Sequence, residues 1–126
     1  MAIELDYTKN SELFNSVAED WAKKIGNKVK NTQIRKFYDY ILDYTERSKN
    51  MNQETFTSEI LPFIKMLNSK VAYASTRSSG GGSLVNEAFV QMIKDGIVGI
   101  KSVEDLRNFK LFFEAVIGFH RAIEKE

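Results

Sequence analysis

Two basic side chains and one aromatic ring occur at helical spacing between Leu67 and Arg77. Lys70 and Arg77 are seven residues apart, so on an α-helix they lie nearly in line, and Tyr73 falls between them. Because this side adjoins the apolar stripe of the same helix, each cation needs an anionic partner or room to extend into solvent. Phosphate-seeking cations beside a stacking ring are typical of single-stranded nucleic-acid binders. The alternative, which the sequence leaves equally open, is that Tyr73 packs inward and both cations pair with carboxylates of another helix.

A second basic group lies earlier in the chain, where Arg35 and Lys36 fall in the first turn of a predicted helix. Residues 21–38 contain six cations and no acid, and residues 60–86 contain three cations and no acid. Such segregation can produce a basic surface on a chain whose net charge is only +1. Asp39 and Asp43, farther along the same helix, could neutralise these two cations, so cancellation of charge is the competing interpretation.

The last predicted helix offers one further basic residue, Arg121. Lys110, Glu114 and Arg121 lie along one side and can neutralise one another, so Arg121, near the end of the helix, is the weakest of the five candidate phosphate contacts. Those candidates are Lys70, Arg77, Arg35, Lys36 and Arg121.

Residues suited to catalysis, metal binding or cofactor binding are scarce. His120, the only histidine, lies on the apolar face of the last helix, which favours a packed, hydrogen-bonded residue over a general base. The acids show no ligand spacing, and there is no cysteine. The run Gly80–Gly82 before a helix lacks the Gly-Lys-Ser/Thr ending of a P-loop. We therefore predict no catalytic residue, no metal, no cofactor and no enzyme activity.

The overall composition indicates a cytoplasmic globular protein. The chain has 126 residues, 43% of them hydrophobic, which is enough for one domain with a core of its own. No apolar run approaches the roughly 18–20 residues of a membrane span, and no signal-peptide pattern opens the chain. We predict a single helical domain over residues 1–126, with residues 1–10 loosely ordered and residues 78–82 a flexible glycine-rich loop.

Apolar residues recur at helical intervals in five segments, and no strand pattern is convincing. The sequence therefore predicts an all-α fold, a compact bundle of about five helices. The third helix should begin between Glu54 and Glu59, with Pro62 in its first turn or at a bend, and end near Arg77. The first should stop at Gly26 and the fourth at about Gly96. The residues predicted to cap the other four helices are Ser11, Thr32, Ser83 and Ser102.

Three blocks of residues occur in an order and spacing that resemble a known family. They are Gln33-Ile34-Arg35-Lys36-Phe37-Tyr38, then Leu67-x-x-Lys70-Val71-Ala72-Tyr73-Ala74-x-x-Arg77, then Phe109-x-x-Phe112-Phe113-Glu114-Ala115-Val116 with Phe119-His120-Arg121. From about Thr32 to Arg121 the chain resembles the small subunit of type III-A CRISPR effector complexes, the Csm small-subunit family. It departs from the family pattern at Ser69, where a proline is expected.

The resemblance implies a non-catalytic, all-helical structural subunit that binds RNA. Copies would stack as a filament along the CRISPR RNA and the target RNA and contact backbone phosphates without sequence specificity. The implied partners are both RNAs, the other subunits of the Csm complex and further copies of this chain, with no membrane. Lys70 and Arg77 would be the main phosphate contacts, with Arg35 and Lys36 next and Arg121 last. The competing hypothesis is a helical protein–protein adaptor with no nucleic-acid binding of its own.

Overall fold

A computed structural model describes residues 2–77 and 84–124, and over this part of the chain all regular secondary structure is helical. The α-helices are α1 (Ser16–Ile25), α2 (Asn31–Ser48), α3 (Gln53–Glu59), α4 (Leu61–Thr76), α5 (Glu87–Val98) and α6 (Val103–Glu124). A 3-10 turn, Gly26–Lys28, follows α1. The predicted all-α bundle is confirmed, and the described residues include no strand. The residues described form six α-helices rather than five, because the predicted third helix is divided into α3 and α4.

The core is built around α6, which packs along both α1 and α2, while α5 packs against α4 and α1. Aromatic rings fill the centre: Phe109 and Phe113 are fully buried and meet edge to face with centroids 5.9 Å apart. Phe89 of α5 meets Phe113 in the same manner at 6.2 Å. Removal of this apolar surface from water is the main force that holds the helices together.

The break between α3 and α4 is at Ile60. This residue has φ −112° and ψ −49°, and its side chain is buried, so the chain bends where Ile60 enters the core. Pro62 follows in the first turn of α4, where its missing N–H costs no intrahelical bond. Of the two predicted outcomes for Pro62, the structure has the first-turn placement.

Several helix ends differ from the sequence prediction. Helix α1 begins at Ser16 rather than after Ser11, because turns occupy residues 7–9 and 11–15. Helix α2 begins at Asn31, whose N–H donates to the carboxylate of Glu124 at 2.8 Å, so Thr32 is not its cap. Helix α5 is capped by Asn86, whose Oδ1 accepts from the Phe89 N–H at 3.0 Å. Ser83, the predicted cap, lies outside the described residues.

Two predicted helix ends are confirmed. Gly26 ends α1 with φ +65°, a left-handed conformation that glycine adopts without steric cost. At the start of α6 the Asp105 N–H donates to the Ser102 hydroxyl at 3.1 Å, and the Asp105 carboxylate accepts from the Lys101 N–H at 3.0 Å. Ser102 therefore caps α6 as expected.

The segment before α1, which we expected to be loosely held, is attached to the bundle over the residues described. Ile3 and Leu5 are buried. The Ile3 N–H donates to the Asp95 carbonyl at 3.0 Å, and the Asn108 side-chain amide donates to the Leu5 carbonyl at 3.0 Å. This segment thus covers the ends of α5 and α6. The predicted flexible loop, 78–82, lies outside the described residues. None of the helices described is both long enough and apolar enough to span a bilayer.

Candidate nucleic-acid interface

Helix α4 separates an apolar stripe from a basic, aromatic one. Its core stripe, predicted from spacing, is buried: Ile60, Ile64, Leu67, Val71 and Ala74. The neighbouring stripe faces solvent and contains Phe63, Met66, Lys70, Tyr73 and Arg77. No acidic residue occurs between Leu61 and Thr76, so α4 itself cannot neutralise its cations.

Tyr73 points outward. Its side chain is 63% exposed, which rules out the interpretation that it packs into the core. The guanidinium carbon of Arg77 lies 5.5 Å from the centroid of this ring, one helical turn away. Arg77 and Tyr73 therefore form an exposed cation–π pair at the end of α4.

Lys70 reaches across to α2, where its Nζ lies 5.4 Å from the centroid of the Tyr40 ring. Tyr40 is fixed in turn, because its hydroxyl donates to the carbonyl of Phe63 at 2.7 Å. Tyr44, one turn later on α2, stacks on Phe63 with centroids 5.8 Å apart and an interplanar angle of 7°. These contacts place Phe63 opposite Tyr44 and Lys70 opposite Tyr40, so α2 and α4 run antiparallel.

This register brings Lys36 to the same surface. Lys36 precedes Tyr40 by one turn on the same ridge of α2, in the direction of the Arg77 end of α4. Lys36, Lys70 and Arg77 thus share one face, together with the rings of Tyr40 and Tyr73. We call these five residues the α2/α4 surface.

Arg35 lies on a different side of α2, the side that packs against α6. Arg121 lies on α6 itself. Tyr38 donates its hydroxyl hydrogen to the Glu114 carboxylate at 2.6 Å, and Asn31 contacts both His120 and Glu124, so α6 runs antiparallel to α2. Arg35 lies one turn before Tyr38, close enough for the positive charge of Arg35 to act on the Tyr38 phenol. Arg121 follows Glu114 by two turns. Helix register therefore places both arginines beside the α2/α6 contact, and we call them the α2/α6 pair.

In the described part of the chain, no carboxylate forms an ion pair with a predicted phosphate contact. The ion pairs among the residues described are Lys23–Glu19, Arg47–Asp43, Lys49–Glu46 and Lys110–Glu114. None of them includes Lys70, Arg77, Arg35, Lys36 or Arg121. Asp43, proposed above as a partner for Lys36, is 3.0 Å from Arg47 instead. Over the described chain, the interpretation in which carboxylates cancel these charges finds no ion pair to support it.

The Glu114 carboxylate is hydrogen-bonded to Lys110 and Tyr38. It accepts from Lys110 Nζ at 2.8 Å and from Tyr38 at 2.6 Å, and these hydrogen bonds, that from Lys110 foremost, lower the pKa of its carboxyl. The same contact, added to burial, raises the pKa of the Tyr38 phenol. Glu114 therefore ties α6 to α2, and Arg121 has no ion pair with it.

His120 is a packed residue, as predicted. It is fully buried, with Nε2 2.9 Å from the Gly26 carbonyl oxygen and Nδ1 3.2 Å from the Asn31 side-chain amide. Among the residues described, no group of three or more histidine, aspartate or glutamate side chains could hold a metal ion. Asp105, Glu4 and Lys101 line a shallow groove of about 410 Å³ beside residues 2–5, and it contains no histidine.

Sequence reasoning missed Tyr40, a residue of the α2/α4 surface, and Phe63, whose carbonyl holds the Tyr40 hydroxyl. Sequence reasoning did not single out Tyr40, because its contact with Lys70 depends on how α2 and α4 pack. Phe63 adjoins Lys70 on α4, and its main-chain carbonyl accepts the Tyr40 hydrogen bond, which no side-chain pattern indicates. The four-residue spacing of Lys36, Tyr40 and Tyr44 was the available signal, since it marks one ridge of α2.

Comparison with known proteins finds one family. The family model described as Csm2 of type III-A matches residues 8–126. No curated protein and no solved structure matches the chain.

Proposed function

This chain belongs to the Csm2 family of type III-A CRISPR effector complexes, and we propose that it is a non-catalytic, RNA-binding structural subunit of such a complex in the cytoplasm. In this proposal it contacts the backbone phosphates of the CRISPR RNA and the target RNA without reading their sequence. The observation that carries the proposal is the α2/α4 surface, where Lys36, Lys70 and Arg77 lie together without an ion pair to any described carboxylate.

The chemistry of this surface suits a polyanion. Ammonium and guanidinium groups bind phosphate oxygens through charge-assisted hydrogen bonds. Backbone contacts of this type position a nucleic acid without carrying sequence information, as expected where guide pairing supplies specificity. The α2/α6 pair, Arg35 and Arg121, provides a second and smaller contact on another side of α2.

Self-association is the second part of the proposal. Phe63 and Met66 expose 41% and 45% of their surface on the same stripe as Lys70. Exposed apolar side chains of this size are typical of protein contacts, and copies that stack along an RNA must bury surface against one another. Sedimentation velocity of the purified chain should show larger species as concentration rises, and Met66→Lys should shift the distribution toward the monomer.

The test of RNA binding is the salt dependence of affinity. Fluorescence anisotropy with a generic single-stranded RNA should give a linear fall of log affinity with log salt, with a slope of about −0.7 per phosphate contact. Replacing Lys70 and Arg77 together by Ala should weaken binding and flatten the slope by about 1.4. Circular dichroism should show unchanged helix content, because both side chains are exposed.

The matched control removes two exposed lysines that already have acidic partners, Lys23 and Lys49. This control changes the net charge equally, so it should lower affinity far less. An equal loss of affinity in both double variants would mean that RNA binding depends only on the net charge of the protein. Unchanged affinity in the Lys70/Arg77 variant would show that the site assignment is wrong. Negligible RNA affinity of the unmodified chain, together with loss of Csm-subunit binding in the variant, would instead support the adaptor hypothesis.

A further inference from the structure

Tyr73 exposes more of its surface than any other large hydrophobic side chain described, 63%. It contributes little to the core, because the buried stripe of α4 is complete without it. Val71 and Ala74, which belong to that stripe and are close to Tyr73 in the sequence, are both buried. Leaving this much aromatic surface in water forgoes the free energy of burial, so we expect Tyr73 to contact a ligand.

Two cations flank the ring along the helix. Lys70 is three residues before Tyr73 and Arg77 is four residues after it, so the rise between the cations is about 10 Å with the ring near the middle. Arg77 lies over the ring, whereas Lys70 is drawn aside to Tyr40. One aromatic face is therefore available between two positive groups.

We propose that Tyr73 stacks with an unpaired nucleobase while Lys70 and Arg77 bind the phosphates on either side of that nucleotide. This inference rests on the proposed RNA-binding function and adds the class of ligand: single-stranded or locally unpaired RNA in preference to a continuous duplex. In a duplex the faces of the bases are covered by their neighbours, so a tyrosine on a helix surface can reach only sugar and phosphate. An unpaired base can turn outward and lie on the ring.

The charges favour RNA over an acidic polypeptide as the occupant. An acidic peptide would satisfy Lys70 and Arg77, but its carboxylates have no π-face to lie on Tyr73. A nucleotide satisfies the ring and both cations at once. Purines should bind better than pyrimidines, because stacking strength is the source of the modest base preferences at such sites.

The test compares two RNA probes with three variants of the full chain. The probes are a single-stranded oligoadenylate of about ten nucleotides and a blunt RNA duplex of the same length. Tyr73→Leu removes the ring, Tyr73→Phe keeps it, and Tyr7→Leu is the control at another tyrosine that is exposed to 41%. Tyr73→Leu should lower affinity for the single strand by roughly 5- to 150-fold and leave duplex affinity unchanged. The other two variants should bind both probes like the unmodified chain.

A 2-aminopurine in the single strand gives a direct signal for stacking. Its fluorescence should be quenched by the unmodified chain and by Tyr73→Phe, and the quenching should be lost with Tyr73→Leu. Equal single-strand affinity for Tyr73→Leu and the unmodified chain would overturn the stacking role. If Lys70→Ala still weakened binding in that experiment, the phosphate-binding proposal would stand by itself.

Two other outcomes would also overturn the inference. The first is an equal loss of duplex and single-strand affinity in Tyr73→Leu, which indicates a packing effect. The second is a similar loss of polyglutamate binding in that variant, which indicates a site for acidic polypeptides. If neither probe binds the unmodified chain at low salt, the proposed RNA-binding function fails together with the inference.

Discussion

The imidazole of His120 donates its Nε2–H to the carbonyl oxygen of Gly26 at 2.9 Å and so ties α6 to the turn that follows α1. A carbonyl can only accept, which places the hydrogen on Nε2. Nδ1 then accepts from the Asn31 side-chain amide at 3.2 Å, at the start of α2. One buried ring therefore joins three helices.

We expect His120→Leu to lower the free energy of unfolding by about 2–4 kcal/mol. The substitution keeps an apolar body but removes one hydrogen bond to the part-buried Gly26 carbonyl, at about 1 kcal/mol, and leaves the buried Asn31 amide without this partner, at about 1–3 kcal/mol. Urea unfolding followed by circular dichroism would measure the change. Adding Asn31→Leu should cost less than the sum of the two single changes, because the orphaned amide is then removed as well. A His120→Leu variant as stable as the original chain would contradict this role.

Leu5→Ala should lower the free energy of unfolding by about 2–4 kcal/mol, in the range for a fully buried leucine. Leu5 is 2% exposed and packs in the core at the ends of α5 and α6. Thermal unfolding would measure the effect. Ala2→Gly, at an exposed neighbouring position, is the control and should change little. An unaffected Leu5→Ala variant would show that residues 2–10 are held as loosely as their sequence suggests.

Gly96→Ala should destabilise the protein by about 1–3 kcal/mol through overpacking. A Cβ at Gly96 would lie 2.8 Å from Cδ1 and 2.9 Å from Cζ of Phe109, a ring that is fully buried and has little room to move. Gly118→Ala is the matched control, since α6 leaves open space there and alanine favours a helix. We expect this control to be neutral or stabilising in the same unfolding experiment. Equal stability of the two variants would contradict the close packing of the Phe109 ring on Gly96.

Stability should decline above about pH 10, where tyrosine ionises in an unfolded chain. Burial, assisted by the neighbouring Tyr44, raises the pKa of Tyr40 to about 12 in the folded protein. Its contribution to the free energy of unfolding is therefore fully present below about pH 10 and is lost as the pH rises toward 12.

Urea titrations at several pH values between neutral and alkaline would check this prediction. Tyr40→Phe should show a shallower alkaline decline than the unmodified chain. Identical alkaline profiles for the unmodified chain and Tyr40→Phe would contradict the prediction.

Much of the fold could be predicted because each long helix has a clear apolar stripe. The buried stripe of α4, from Ile64 to Ala74, follows from spacing alone. The division at Ile60 could not be predicted in the same way, since α3 and α4 are both helical and only the core position of Ile60 sets the bend. The cap of α5 was assigned to Ser83, although Asn86 is also a preferred cap residue; its donation to the Ile25 carbonyl, which fixes it there, is a tertiary contact that no local pattern reveals.

In the candidate site, too, local relationships could be predicted from the sequence and packing between helices could not. Helical spacing predicted that Lys70, Tyr73 and Arg77 lie side by side, because that relationship is local. The outward direction of Tyr73 and the meeting of Lys70 with Tyr40 depend on how α2 and α4 pack. Arg35 and Lys36 are about 100° apart on any helix, but which neighbouring helix each one faces follows only once α4 and α6 are in place. Whether these residues bind RNA stays a prediction.

The contact between Lys70 and Tyr40 has a consequence for the entropy of recognition. A free lysine on a helix surface samples many rotamers, and holding it against a ligand costs roughly 0.5–1.5 kcal/mol. The Tyr40 ring, itself fixed by its bond to Phe63, restricts the ammonium before any ligand arrives. A tyrosine that touches no phosphate would therefore help to set the affinity, by reducing the disorder that binding must remove.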